Sequence, residues 1–154
     1  MEVFILNITE QFCQVTIAGP NARHVLENVL ERPFPTRDLP FMGMLTATFL
    51  NTKVNIYRIS FSGELSYEVA IPNGNGLNFW KKCMEVGSQF GMQPYGTEAL
   101  HVMRAEKGFI MIGDETDGTV IPQDLNLNWA ISKKKTDFIG KRAHERSFMI
   151  DSKR

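Results

Sequence analysis

Few side chains in this sequence stand at a spacing that does chemistry, and the carboxylates are the first to weigh. Asp114, Glu115 and Asp117 cluster in a short stretch but lack the alternating ligands and distal glutamate of a calcium loop. With Gly118 beside them they suit a solvated turn, where Asp and Gly satisfy the backbone locally. His101 stands beside Val102 and Met103 in a helical stretch, with no cysteine or carboxylate placed to make it a ligand or an oriented base. It is expected to be a structural histidine. Lys133, Lys134 and Lys135 could touch phosphate or the anionic tail of a cofactor, although a short charge run is more often a solvated face. Cys13 and Cys83 are isolated and the 3 histidines are scattered, so neither a disulfide framework nor a structural metal is expected. There is no nucleophile elbow, phosphate loop or dinucleotide fingerprint, and no catalytic residue is assigned.

Glu68 is the remaining candidate. Leu65, Tyr67, Val69 and Ile71 alternate with Ser66, Glu68 and Ala70, so a strand here puts its apolar row on one face and Glu68 on the other. That second face is either solvent or a ligand pocket. From the residues alone an exposed strand glutamate is the commoner case, because glutamate is seldom buried unless paired. Phe61, near the end of the preceding predicted strand, is by the same reasoning more often core than a stacking platform.

The elements that position these residues follow from periodicity. Cys13 to Ala18 predicts a strand, and Gly19-Pro20 opens a helix in which Ala22, Val25, Leu26, Val29 and Leu30 keep the 3.6-residue period and which stops before Pro33. Leu45 to Leu50 and Val54 to Phe61 predict a hairpin about Asn51-Thr52. After the strand carrying Glu68, Asn73-Gly74-Asn75-Gly76 starts a helix with a stripe of Leu77, Trp80, Cys83 and Met84, closed by Gly87. A third helix begins at Thr97, carries Leu100, Met103 and Arg104, and ends at Gly108. From Asp114 the chain turns irregular, and Lys133 to Arg154 is a basic, exposed tail. This order predicts an α+β class with a largely antiparallel sheet. One domain over 1–146 and a tail over 147–154 are expected.

At 154 residues, with 43% hydrophobic content and 17 basic against 17 acidic residues, the chain can bury one core. Zero formal charge favours neither nucleic acid nor an anionic membrane as partner. No apolar run reaches spanning length and no targeting segment follows Met1, so a cytoplasmic location is expected.

Three ordered blocks then carry a resemblance. Arg58-Ile59-Ser60-Phe61-Ser62-Gly63-Glu64-Leu65-Ser66-Tyr67-Glu68-Val69 resembles a signature of the glycine-cleavage T-protein (aminomethyltransferase) folate-binding superfamily. Pro94-Tyr95-Gly96 through His101-Val102-Met103-Arg104-Ala105-Glu106-Lys107-Gly108 is similar to the family's following helix. Asp117-Gly118-Thr119, Trp129-Ala130-Ile131 and Asp137-Phe138-Ile139-Gly140-Lys141 are similar to the segment after it. The wording of the blocks is especially similar to alpha subunits of heterotetrameric sarcosine oxidases, with dimethylglycine oxidase a near neighbour. The resemblance covers about residues 11–146.

What the resemblance implies is specific. The fold would be the ferredoxin-like antiparallel sheet with flanking helices that forms part of the T-protein folate-binding architecture. Glu68 would bind the pterin of tetrahydrofolate, Phe61 would stack on it, and Val69 and Ala70 would lie beside the ring through their backbone. The parent enzyme would oxidise sarcosine and pass the one-carbon unit to tetrahydrofolate, with FAD, FMN and NAD elsewhere in a complex of sarcosine oxidase subunits. The piece alone would be inactive and incomplete on its N-terminal side. The sequence also departs from the family: Leu100 stands where the T-protein has a folate-contacting arginine, Arg104 is expected to pair with a carboxylate, and the acid near the transferring nitrogen has no counterpart. A non-catalytic folate-binding or assembly module, or a relative of dimethylglycine oxidase or the aminomethyltransferases, is the alternative.

Overall fold

The structure, a computed structural model, describes residues 2–146, so the expected tail over 147–154 lies outside the described residues. The chain divides into two compact units, Met1–Lys107 and Gly108–Arg154.

The first unit is built on four antiparallel strands: β1 (Phe12–Ala18), β2 (Met44–Phe49), β3 (Thr52–Tyr57) and β4 (Ser66–Pro72). Their order across the sheet is β1-β4-β3-β2, so β2, β3 and β4 form a meander and β1 returns to lie against β4. Alternation divides the residues cleanly. Val15 and Ile17 of β1, Ala47 and Phe49 of β2, Val54 and Ile56 of β3, and Tyr67, Val69 and Ile71 of β4 are buried on one face. Gln14 and Thr16, Thr46 and Thr48, Asn55 and Tyr57, and Glu68 and Ala70 stand on the other, exposed or half-buried. This is the α+β class, with an antiparallel sheet and flanking helices, that the sequence and its resemblance led us to expect.

Helices α1 (Ala22–Val29) and α2 (Gly76–Gly87) pack on each other and on the apolar face. In α1 the buried residues are Ala22, Val25, Leu26 and Val29, the spacing that lines one side of a helix. The connector after α1 adds Phe34 and Leu39 to the core. Phe34 meets Tyr67 edge-on with ring centres 5.8 Å apart, and Phe49 meets Phe79 in the same way at 5.1 Å. Such pairs add about 0.5–1.5 kcal/mol beyond the area they bury.

Three details differ from expectation, the first being that the hairpin turns at Leu50-Asn51 rather than Asn51-Thr52, because Thr52 already pairs with Phe49. The strand expected to run to Phe61 ends at Tyr57. Past it the Arg58 N–H donates to the Gly43 carbonyl at 3.0 Å and the Arg58 carbonyl accepts from Met42 at 2.9 Å, after which the chain turns through Ser60 to Gly63. In α2 the buried side chains are Phe79 and Cys83, while Leu77 and Trp80 of the expected stripe stay largely exposed. The reason is the ring: Phe79 is the side chain that meets Phe49 on the sheet.

Helix α3 (Thr97–Lys107) closes the first unit. The second unit contains 3-10 turns at Pro122–Leu125 and Asn128–Ala130 and a short helix α4 (Lys141–His144). Asp117 accepts from the Thr119 N–H at 2.7 Å and Glu115 from the Met111 N–H at 2.7 Å, both side chains serving turns. No helix among the described residues is long and apolar enough to cross a membrane.

Candidate binding site on the open face of the sheet

Glu68 occupies the centre of the sheet's second face, because β4 is an interior strand. The register sets it opposite Thr16 of β1 on one side and Tyr57 of β3 on the other. Gln14 lies one same-face pair along, opposite Ala70, on the diagonal that long side chains can bridge. It does so: the Gln14 amide Nε2 donates to Glu68 Oε2.

The carboxylate is only partly shielded from water. Burial pushes its pKa above the ordinary carboxylate value, and the Gln14 hydrogen bond works in the opposite direction by favouring the charged form. Tyr95, in the segment ahead of α3, is also pushed up, first by burial and then by the negative field of Glu68. The phenol therefore stands within electrostatic reach of the carboxylate. At the outer edge of β1, α2 and residues 92–100 enclose a groove of about 510 Å³, to which Gln14 and Tyr95 both contribute.

The loop between β3 and β4 explains much of the block Arg58 to Glu64. The Arg58 guanidinium donates to the Leu39 carbonyl at 3.4 Å, tying down the connector that carries Phe34 and Leu39 into the core. Ser60 Oγ accepts from the Gly63 N–H at 3.0 Å, and Ser62 Oγ from the Glu64 N–H at 3.4 Å. Gly63 has a φ of 84°, and any Cβ there would collide with the side chain of Lys107. Only glycine meets both conditions.

Of the residues singled out by sequence, Glu68 and Ala70 share the open face, whereas the Val69 side chain is buried on the opposite one and only its backbone borders that face. Phe61 sits half-buried in the turn after β3 rather than on a strand. Arg104 is buried. Gln14 was not named, and Tyr95 was named only within the second block, with no site role. The alternation in β1 already set Gln14 apart from Val15 and Ile17, but nothing local says that β1 lies against β4.

The chain is an α+β module with a partly desolvated carboxylate at the centre of an open sheet face, and comparison with known proteins defines its class. The GCVT N-terminal domain family matches residues 1–135, and the chain belongs to it. It is 44% identical over 148 residues to a sarcosine oxidase subunit alpha of Corynebacterium sp. (strain P-1), covering 95% of this chain and 15% of that protein. To the subunit alpha of Rhizobium meliloti (strain 1021) it is 37% identical over 143 residues, 92% of this chain and 14% of that protein. An aminomethyltransferase of Halothermothrix orenii is 32% identical over 139 residues, 90% of this chain and 38% of the relative. The chain thus spans a minor part of each relative.

Proposed function

We propose that this chain is a tetrahydrofolate-binding module, with Glu68 as the anchor for the pterin edge. The observation that carries the reading is the Glu68 carboxylate at the centre of the open face, with one oxygen engaged by Gln14 and both oxygens still able to accept. A carboxylate so placed fits a planar ligand edge with two parallel N–H donors, which the ring N–H and exocyclic amine of a pterin present. Ala70, small and on the same face, leaves room beside it; Val69 contributes backbone only, and Phe61 is the candidate aromatic partner.

The relatives support this division of labour. Some are named sarcosine oxidase subunit alpha and others aminomethyltransferase, and a module common to both is better matched to handling a one-carbon unit than to the oxidation itself. When bound, tetrahydrofolate supplies a nucleophilic nitrogen that takes up such a unit. The contribution of this chain is to bind and orient, holding the acceptor where its effective concentration is high. In the parent protein, sarcosine oxidation would rest on FAD, FMN and NAD bound elsewhere and on partner subunits.

Calorimetric titration of the chain with 5-formyltetrahydrofolate, a stable reduced folate, tests the reading. Heat of binding in the native chain and its loss in Glu68→Gln are the expected results. No heat in the native chain, or equal heat in both, overturns the assignment.

A further inference from the structure

Glu68 has three rotatable side-chain bonds, and a half-exposed glutamate left to itself samples several rotamers. Binding a planar donor pair requires that both oxygens face the ligand in one plane, so each unrestricted torsion lowers affinity through ordering entropy. Gln14 reaches diagonally from β1 to β4 and bonds to one oxygen, using one of the roughly four acceptor sites of a carboxylate. The remaining sites include at least one on each oxygen, which is what a two-donor ligand needs.

We propose that Gln14 is the positioning residue of this site, its amide holding the Glu68 carboxylate in the orientation that receives a planar, two-donor heterocycle. The inference rests on the folate reading above and adds to it a residue that contacts the carboxylate rather than the ligand. The other groups facing Glu68 are Thr16 of β1, Tyr57 of β3 and Tyr95 ahead of α3. Thr16 carries no titratable group, and burial together with the negative field of Glu68 makes Tyr95 hold its proton more tightly. Lys53 stands on the same face of β3, two same-face positions beyond Tyr57. Gln14 is therefore the neighbour able to fix the carboxylate and to favour its ionised form.

A donor ladder at position 14 tests this, using the chain and 5-formyltetrahydrofolate between pH 5 and 8. Gln14→Met keeps the side chain's length and removes the donor; Gln14→Lys supplies a charged one. Because the freed carboxylate must then be ordered when the ligand binds, Gln14→Met should weaken binding roughly two- to tenfold. It should also move the acid limb of the binding profile to higher pH, while Gln14→Lys moves it to lower pH than in the native chain. A purely structural role for Gln14 would lower affinity without displacing that limb. Native affinity and an undisplaced limb in both variants overturn the proposal; if Gln14→Met does not fold, an undisplaced limb in Gln14→Lys is sufficient. Failure of the folate reading is seen separately, as Glu68→Gln binding like the native chain.

Discussion

Tyr67 and Glu68 stand back to back in β4: the Tyr67 ring is closed from solvent with its hydroxyl accepting a 3.2 Å hydrogen bond from Arg23 Nε, while the next side chain presents its carboxylate to the opposite face. One strand thus serves core and site at once. Tyr67→Phe removes the hydroxyl and leaves Arg23 with Thr36, its other partner. The expected cost is about 0.5–1.5 kcal/mol, the net worth of one such bond. Urea denaturation should show that loss while calorimetry finds folate affinity unchanged. A large drop in affinity would mean that the two faces are not independent.

The raised pKa of Glu68 makes a statement about stability, and its sign is opposite to the usual carboxylate case. A folded-state pKa above the ordinary value of 4.5 means that the folded chain holds the proton more tightly than the unfolded chain. The corresponding stability is present below the unfolded value and is lost as pH rises through the folded value. Glu68→Gln, a neutral isostere, should therefore be more stable than the native chain at pH 7. That advantage should vanish by pH 4. Thermal melts at the two pH values check this, and a variant less stable at pH 7 would show that the Gln14 bond outweighs desolvation.

The two thiols differ in the same physical terms. Cys83 is buried in α2 against the core, and burial pushes its pKa up to about 12. Cys13 is half-exposed on β1. Since the thiolate is the reactive species, a disulfide reagent at pH 8 should modify one thiol of the native chain quickly and the second only on unfolding. The sign for stability is again that of a raised group: the neutral Cys83 thiol stabilises fully below its ordinary 9.0 and loses that contribution between 9.0 and about 12. Rapid modification of both thiols in the folded chain would contradict this placement.

The period-2 pattern of Leu65 to Ile71 by itself separates Tyr67 from Glu68, since each strand residue reverses face. It cannot tell solvent from ligand for the Glu68 face, and the T-protein resemblance is what weighed that choice. Gln14 was out of reach for another reason. Its partner lies 54 positions away, and pairing of β1 with β4 rather than with β2 is decided by long-range packing. Helix α2 shows a third limit. Leu77, Trp80 and Met84 form as good a helical stripe as Phe79 and Cys83, and the choice between them falls to the fit of Phe79 on Phe49.

The hairpin of β2 and β3 holds a local conflict that a substitution should relieve. Phe49 pairs with Thr52, so Leu50 and Asn51 alone make the turn, at φ of 46° and 61°. Positive φ at both central positions marks the type I′ turn, whose twist matches that of the flanking strands. Asn tolerates that conformation, whereas for Leu it costs about 1–2 kcal/mol. Leu50 is 60% exposed, so little apolar burial offsets the strain. Leu50→Asn should therefore stabilise the chain, by about 0.5–1 kcal/mol after discounting that remaining burial. In urea the midpoint should rise with the slope unchanged, as expected when native-state strain is relieved without altering the surface exposed on unfolding. An unchanged or lower midpoint would mean that the Leu50 side chain contributes more packing than its exposure allows.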